Sequence, residues 1–399
     1  MRPSPNQKKK LLMLGAGTWQ VPWIRKAVSM GIEVCATDWS SNAEGKPFAH
    51  HFEAIDLKDK EKTLQWALEH QINGVLTAAD IGVPTAAYVA EKMGLRFHSE
   101  VLALRATNKY AMRQHALEIG LPGPEFYCVS SDTDAIISAG MLGFPLLVKP
   151  VDSQSSRGVS VVNNEEELLL KFSEAMQASI SGRVMLEEMM TGTEGSVEAL
   201  VHDGKPYILG VCDKIKSALP YRYDLELNYP GSYTSSQQSS IIEFVEKLVT
   251  GFEIKNGVIH IEIMVTGDKV QLIEFAVRGC GSKVITHLMP AMNAFDVMGW
   301  VIENAFETMP APILQSGGAG VLKFIMLSSG RISKLHGVEA MKNSEGVLDA
   351  DLERKEGDIL GEVADGRSRP GYLLAVAENR ETLNQRVQNA LNKLEVVIV

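Results

Sequence analysis

The chain has 399 residues, 45% of them hydrophobic and 22% charged, with a formal net charge of -10. That length exceeds one ordinary core and, at roughly 150 residues per domain, implies two to three domains of a soluble globular protein. The acidic balance argues against nucleic acid as the main partner, and no stretch approaches the ~20 apolar residues that span a membrane.

Met1 to Gln7 reads as a disordered tail. Lys8, Lys9 and Lys10 ahead of a short apolar run mimic the start of a signal peptide, but Gly15, Gly17 and Gln20 cut the run too short. LLMLGAG reads as a buried strand entering a glycine turn, followed by a helix over 21–30 and a strand, IEVCATD, ending at Asp38. A helix over 59–70, a strand over 73–79 and a helix over 84–93 continue the alternation, so the first hundred residues are expected to form a doubly wound α/β unit on a parallel sheet. Gly15-Ala16-Gly17 with Asp38 invites a dinucleotide reading, yet Gln20 stands where the fingerprint needs its third glycine. The turn is better read as placing a helix amino end within reach of an anion or substrate.

A helix over 106–120 with Thr107 as its cap comes next, stopped by Gly120 and Pro122. From Glu125 strands dominate, with helices over 165–178 and 239–250, giving an α+β region of antiparallel sheets. A third, strand-rich block begins near Gly317 and closes on a helix over 380–394. The four cysteines, Cys35, Cys128, Cys212 and Cys280, form no CxxC pair, which suits reduced thiols in a cytoplasmic protein.

Glu262 in HIEIMV and Glu274 in QLIEFAVRG lie on two apolar runs joined by Thr266, Gly267 and Asp268, a β-hairpin signature. Alternation on paired strands can put both carboxylates on one face, where they share a proton, hold a cation or stay solvated. With no Cys or His cluster in the sequence, oxygen ligands suit Mg²⁺ carrying phosphates. Upstream, Lys149 ends the strand PLLVKP, and DSQSSRGVSVV is a Ser/Gly-rich loop whose N–H groups and hydroxyls suit phosphates as well as a flexible linker. Glu187 and Glu188 precede apolar Met189 and Met190, with Glu194 seven positions after Glu187; such a linker suits adenine and ribose, or is a solvated turn.

Taken in order, Lys109, Lys149, the Ser/Gly loop, the linker and the hairpin resemble the ATP-grasp superfamily over nearly the whole chain. The resemblance implies that Lys109 and Lys149 hold phosphates of ATP and that Ser155, Ser156 and Gly158 belong to a mobile flap. It also implies that Glu187, Met190 and Glu194 take adenine and ribose, and that Glu262 and Glu274 bind Mg²⁺, or Mn²⁺ in its place. LGAGTWQVPWIRKAVSMGIEVCATD is similar to the α/β domain that opens the biotin carboxylase-like branch. Within that branch, CDKIKSALPYRYDLELNYPG and HIEIMV most resemble L-amino acid ligases and related carboxylate-amine ligases. The implied architecture is an α/β domain over 1–106, an ATP-grasp domain of two subdomains over 107–315 and a small closing domain over 316–399. A homodimer is a further implication.

The family usually has Asn two residues after the second metal acid, where this chain has Ala276, so a second Mg²⁺ would lose an oxygen ligand. Arg278 is retained and is expected to hold the substrate carboxylate and then the tetrahedral oxyanion. The implied reaction joins a small carboxylate to an amine through an acylphosphate, leaving ADP and phosphate. The alternatives are a carboxylase that activates bicarbonate and a non-catalytic nucleotide-binding protein. No base for the amine is identifiable, though His260 and His287 are candidates.

Overall fold

A computed structural model describes residues 8–153, 158–218, 221–315, 317–363, 366 and 368–399. Four strands, β1 (Lys10–Leu14), β2 (Glu33–Asp38), β3 (His51–Ala54) and β4 (Gly74–Thr77), form a parallel sheet in the order β3-β2-β1-β4. Helix α1 (Val21–Ser29) connects β1 to β2, α2 (Lys60–Glu69) connects β3 to β4, and α3 (Val83–Met93) follows β4. Leu11 to Leu14 are buried on both faces of the sheet, which is why β1 shows a continuous apolar run rather than alternation. The glycine turn after β1 is braced by Asp38, whose carboxylate accepts from the N–H of Ala16 (2.8 Å) and of Ser40 (3.0 Å). Asp38 thus serves the turn itself and not a ribose.

The helix expected over 106–120 is α5 (Lys109–Glu118), and a separate helix that sequence reading did not assign, α4 (Glu100–Thr107), precedes it. Thr107 closes α4, its hydroxyl donating to the carbonyl of Ala103. Asn108 caps α5 through an acceptor bond from the N–H of Ala111 (3.0 Å), a bond worth ~1 kcal/mol that only the residue three positions upstream can make.

Beyond it, β5 (Phe126–Val129), α6 (Asp132–Leu142), β6 (Leu146–Pro150), β7 (Ser160–Val162), α7 (Glu165–Ala178) and β8 (Val184–Glu188) build a small antiparallel sheet, β5-β8-β6-β7, with two covering helices. Sequence reading assigned no helix over 132–142; Ser131 caps one there, and small Ala135, Ser138 and Ala139 form its buried stripe. Strands β9 (Thr193–His202), β10 (Lys205–Lys216) and β11 (Asp224–Tyr229), helix α8 (Ser235–Gly251), and strands β12 (Gly257–Thr266) and β13 (Lys269–Ala276) follow. Helix α8 starts earlier than expected because Thr234 and Gln237 form a reciprocal capping box.

After α9 (Met289–Asn293) and α10 (Val297–Asn304) come β14 (Ala319–Ile325), β15 (Gly330–His336), α11 (Val338–Lys342), β16 (Val347–Leu352), β17 (Ile359–Leu360), β18 (Gly371–Ala377), α12 (Arg380–Leu391) and β19 (Glu395–Ile398). Three of these strands extend the central sheet, whose order is β13-β12-β9-β10-β11-β14-β18-β16. One face of β9, β12 and β13 buries Val197, Ala199, Ile259, Ile261 and Phe275 with α8 residues Phe244, Val245 and Leu248. Full burial contributes about 1.5–3 kcal/mol for each large side chain, so this apolar face fixes the register that aims the opposite, polar face.

Candidate active site: a nucleotide cleft between two sheets

On the polar face of the central sheet, Glu262 and Glu274 are direct cross-strand partners. Each carboxylate meets a lysine: Glu262 Oε1 lies 2.7 Å from Lys214 Nζ, and Glu274 Oε2 lies 2.7 Å from Lys109 Nζ. Burial works against ionisation of Glu262, but Lys214 and His260 beside it hold the carboxyl well below the usual range. For Glu274 the Lys109 ammonium is the main cause of the same downward shift.

Helix α5 joins this hairpin to the small sheet. Lys109 and Arg113 stand four residues apart on one helix face; the first reaches Glu274, and the second donates from Nε to Glu187 Oε1 (2.8 Å) and from Nη2 to the carbonyl of Ile273 (2.5 Å). Glu187 is 1% exposed and also binds Lys149 Nζ at 2.5 Å, so one carboxylate serves two buried cations. Burial, with Arg113 and Lys109 nearby, lowers Lys149 to about 8 despite the opposing pull of Glu187. The carboxylate of Glu187, expected at adenine, is thus paired with Arg113 and Lys149. Met190 lies half-buried in the linker to β9, and that linker is pinned to the hairpin where the Thr266 hydroxyl donates to the carbonyl of Thr191.

Glu194 is buried and paired with Lys216 (2.7 Å) and Arg222 (3.2 Å). Gly158 has φ +74, and a Cβ there would meet Pro150 Cγ at 2.9 Å, so the loop returns tightly against the strand that bears Lys149. Ser155 and Ser156 lie outside the described residues. Arg278 makes a two-pronged ion pair with Asp80, Nε–Oδ1 2.9 Å and Nη2–Oδ2 2.5 Å, across the seam with the N-terminal sheet. Burial opposes a charge on His260, but Glu198 at 2.5 Å from Nδ1 and Glu262 at 3.4 Å from Nε2 raise it to about 9, so it is a cation at neutral pH. His287 is shifted the other way by burial and Lys283.

Sequence reading missed Asp80, Arg113, Glu198 and Lys214. In CDKIK the isoleucine, Ile215, is 49% exposed and the lysines turn inward, and Glu198 shares the same polar face. An inward lysine at every second position marks a strand face that works on charge. Arg113 was legible as the helical neighbour of Lys109.

Ion pairs thus link Lys149 on the small sheet, through Glu187, Arg113 and Lys109, to the carboxylate pair on the central sheet. Residues 142–287 match the model of the ATP-grasp domain. Residues 323–399 match L-amino acid ligase C-terminal domain 2. The chain is 26% identical to a formate-dependent phosphoribosylglycinamide formyltransferase of Yersinia pestis, over 97% of this chain and 96% of that one. Among solved structures it resembles an L-amino acid ligase from Bacillus licheniformis, with TM-score 0.83, 20% identity and coverage of 99% and 100%. It also resembles the biotin carboxylase domain of a 2-oxoglutarate carboxylase from Hydrogenobacter thermophilus, with TM-score 0.77, 18% identity and coverage of 99% and 92%. No helix among the described residues is long and apolar enough to cross a membrane.

Proposed function

We propose that the chain is an ATP-dependent carboxylate-amine ligase acting on amino acids or another small-metabolite acid, working in the cytoplasm. The observation that supports it most is the continuous charged floor from Lys149 through Glu187, Arg113 and Lys109 to the Glu274/Glu262 pair.

A carboxylate is a poor acyl donor until its oxygen is esterified. In the proposed reaction the substrate carboxylate attacks the γ-phosphorus of ATP and the bond to ADP breaks. An amine then attacks the carbonyl of the acylphosphate, and phosphate leaves with the former carboxylate oxygen. Lys109 and Lys149 act by holding phosphates in line, and Glu187 with Arg113 keeps Lys149 in place. Met190 and Glu194 border the nucleoside end. Arg278, aimed by Asp80, addresses the acid. The opposed oxygens of Glu262 and Glu274, each now balanced by an ammonium, fit a hard divalent cation such as Mg²⁺, or Mn²⁺ in its place, and these two residues would hold it. When bound, it supplies charge neutralisation for the phosphates.

The deciding experiment is phosphate release from ATP by the purified protein against libraries of acids and amines. Release is expected only when both an acid and an amine are present; release with bicarbonate alone overturns the reading in favour of a carboxylase. A pH profile gives a second check. Lys149 is charged below about 8 and neutral above it, whereas Lys109 is shifted upward and stays charged. ATP binding should therefore weaken above pH 8, by at most about tenfold per pH unit. An unchanged ATP dissociation constant from pH 7 to 9.5 removes Lys149 from the phosphate site.

A further inference from the structure

Lys214 occupies an unusual place for an ammonium. Its side chain is 1% exposed, and Nζ lies 2.7 Å from Glu262 Oε1, 3.7 Å from Asp224 Oδ2 and 3.9 Å from Glu194 Oε1. The three carboxylates come from β12, β11 and β9, the strands around β10 that carries the lysine. Such a cage of oxygens on three strands is what a hard divalent ion needs; here a side-chain cation fills it. Lys216, two residues on and on the same face, takes the other edges of the cage at Glu194 (2.7 Å) and Asp224 (2.9 Å), and Arg369 donates to the carbonyl of Asp224 (3.0 Å).

The other end of the floor is equally specific. Ala276, buried and directly opposite His260 in the hairpin register, presents a methyl group where the strand faces the site. Glu262 and Glu274 therefore offer oxygens to an ion between them, while the position beyond Glu274 offers none. On the Glu262 side, a second divalent ion would have to share the carboxylate with an ammonium already at 2.7 Å. Like charges at that spacing repel strongly in a buried site, and the lysine cannot leave without taking from Glu262 its nearest counter-ion.

We propose that this chain binds a single divalent cation with its nucleotide, between Glu262 and Glu274, and that Lys214 is a built-in replacement for a second. The lysine then neutralises the carboxylates around it with a fixed positive charge that needs no recruitment from solution. This inference rests on the ATP reading given above.

The test uses crystals of the full chain grown with Mn²⁺ and a non-hydrolysable ATP analogue, read by anomalous scattering. The wild type is expected to show one manganese peak, flanked by Glu262 and Glu274, with Lys214 Nζ still among its carboxylates. Two peaks beside a bound nucleotide overturn the inference and leave the ATP reading intact, whereas a cleft that takes no nucleotide overturns both. Lys214→Ala is expected to gain a second peak inside the cage of Glu194, Asp224 and Glu262, and Lys214→Arg to keep one. A Lys214→Ala crystal with a single peak shows that the lysine replaces nothing. Should that variant fail to fold, calorimetric titration of Mn²⁺ into the wild-type nucleotide complex decides: one ion per chain supports the inference and two overturn it.

Discussion

Glu262→Gln is expected to lower ATP-dependent phosphate release by on the order of 10²–10³-fold while leaving the fold in place. The amide keeps the shape of the side chain and removes its charge. That charge has two roles: it faces Glu274 across the hairpin, where a cation bearing phosphates would sit, and it anchors Lys214 and His260. Loss of one preorganised charge at the reacting phosphate accounts for the size of the effect, and circular dichroism should separate it from unfolding. A Glu262→Gln enzyme turning over at the wild-type rate, with acid, amine and Mg²⁺ supplied, would remove this carboxylate from the proposed chemistry.

The largest stability effect is expected at Glu187. Replacing it with Ala leaves Lys149 and Arg113 as buried cations without a counter-ion, and breaking a buried pair in this way typically costs about 3–5 kcal/mol. Urea unfolding measures it. The companion experiment replaces all three members, Arg113, Lys149 and Glu187, by Met. Neutral side chains of similar volume should recover most of the lost stability, since the triad is costly to desolvate, yet phosphate release should stay absent. Recovery of both properties would mean that the triad is structural packing and that phosphates are held elsewhere. A Glu187→Ala chain as stable as the wild type would contradict the burial on which the argument depends.

The architecture was legible because its signals are local. Continuous apolar runs gave the parallel strands, helical spacing gave most helices, and the Thr-Gly-Asp break between apolar runs gave the hairpin whose register sets Glu262 against Glu274. Helix α4 went unassigned and the start of α5 was set too early because Thr107 was taken for the cap that Asn108 provides. Candidate groups could be picked out by type and order, but their partners could not. That Glu187 serves Lys149, or that Asp80 grips Arg278 from 198 positions away, depends on how sheets dock. Lys214 was missed for a further reason: a lysine beside an isoleucine on a strand is ordinarily read as the solvent-facing one, and here the isoleucine is outside.

The pairing of β11 with β14 has a mechanical consequence. Strands β14, β18 and β16 continue the long sheet from β11 to its end, and Arg380 donates to Asn228 and to the carbonyl of Pro230, so this end of the chain is sewn to the central sheet. A chain ending before Gly317 would not resemble the whole protein with a cover removed. It would bare the full edge of β11, with unpaired N–H and carbonyl groups beside apolar Leu227 and Tyr229, and such an edge recruits other chains. Shortening the protein from its carboxyl end therefore yields a self-associating fragment rather than a more open enzyme.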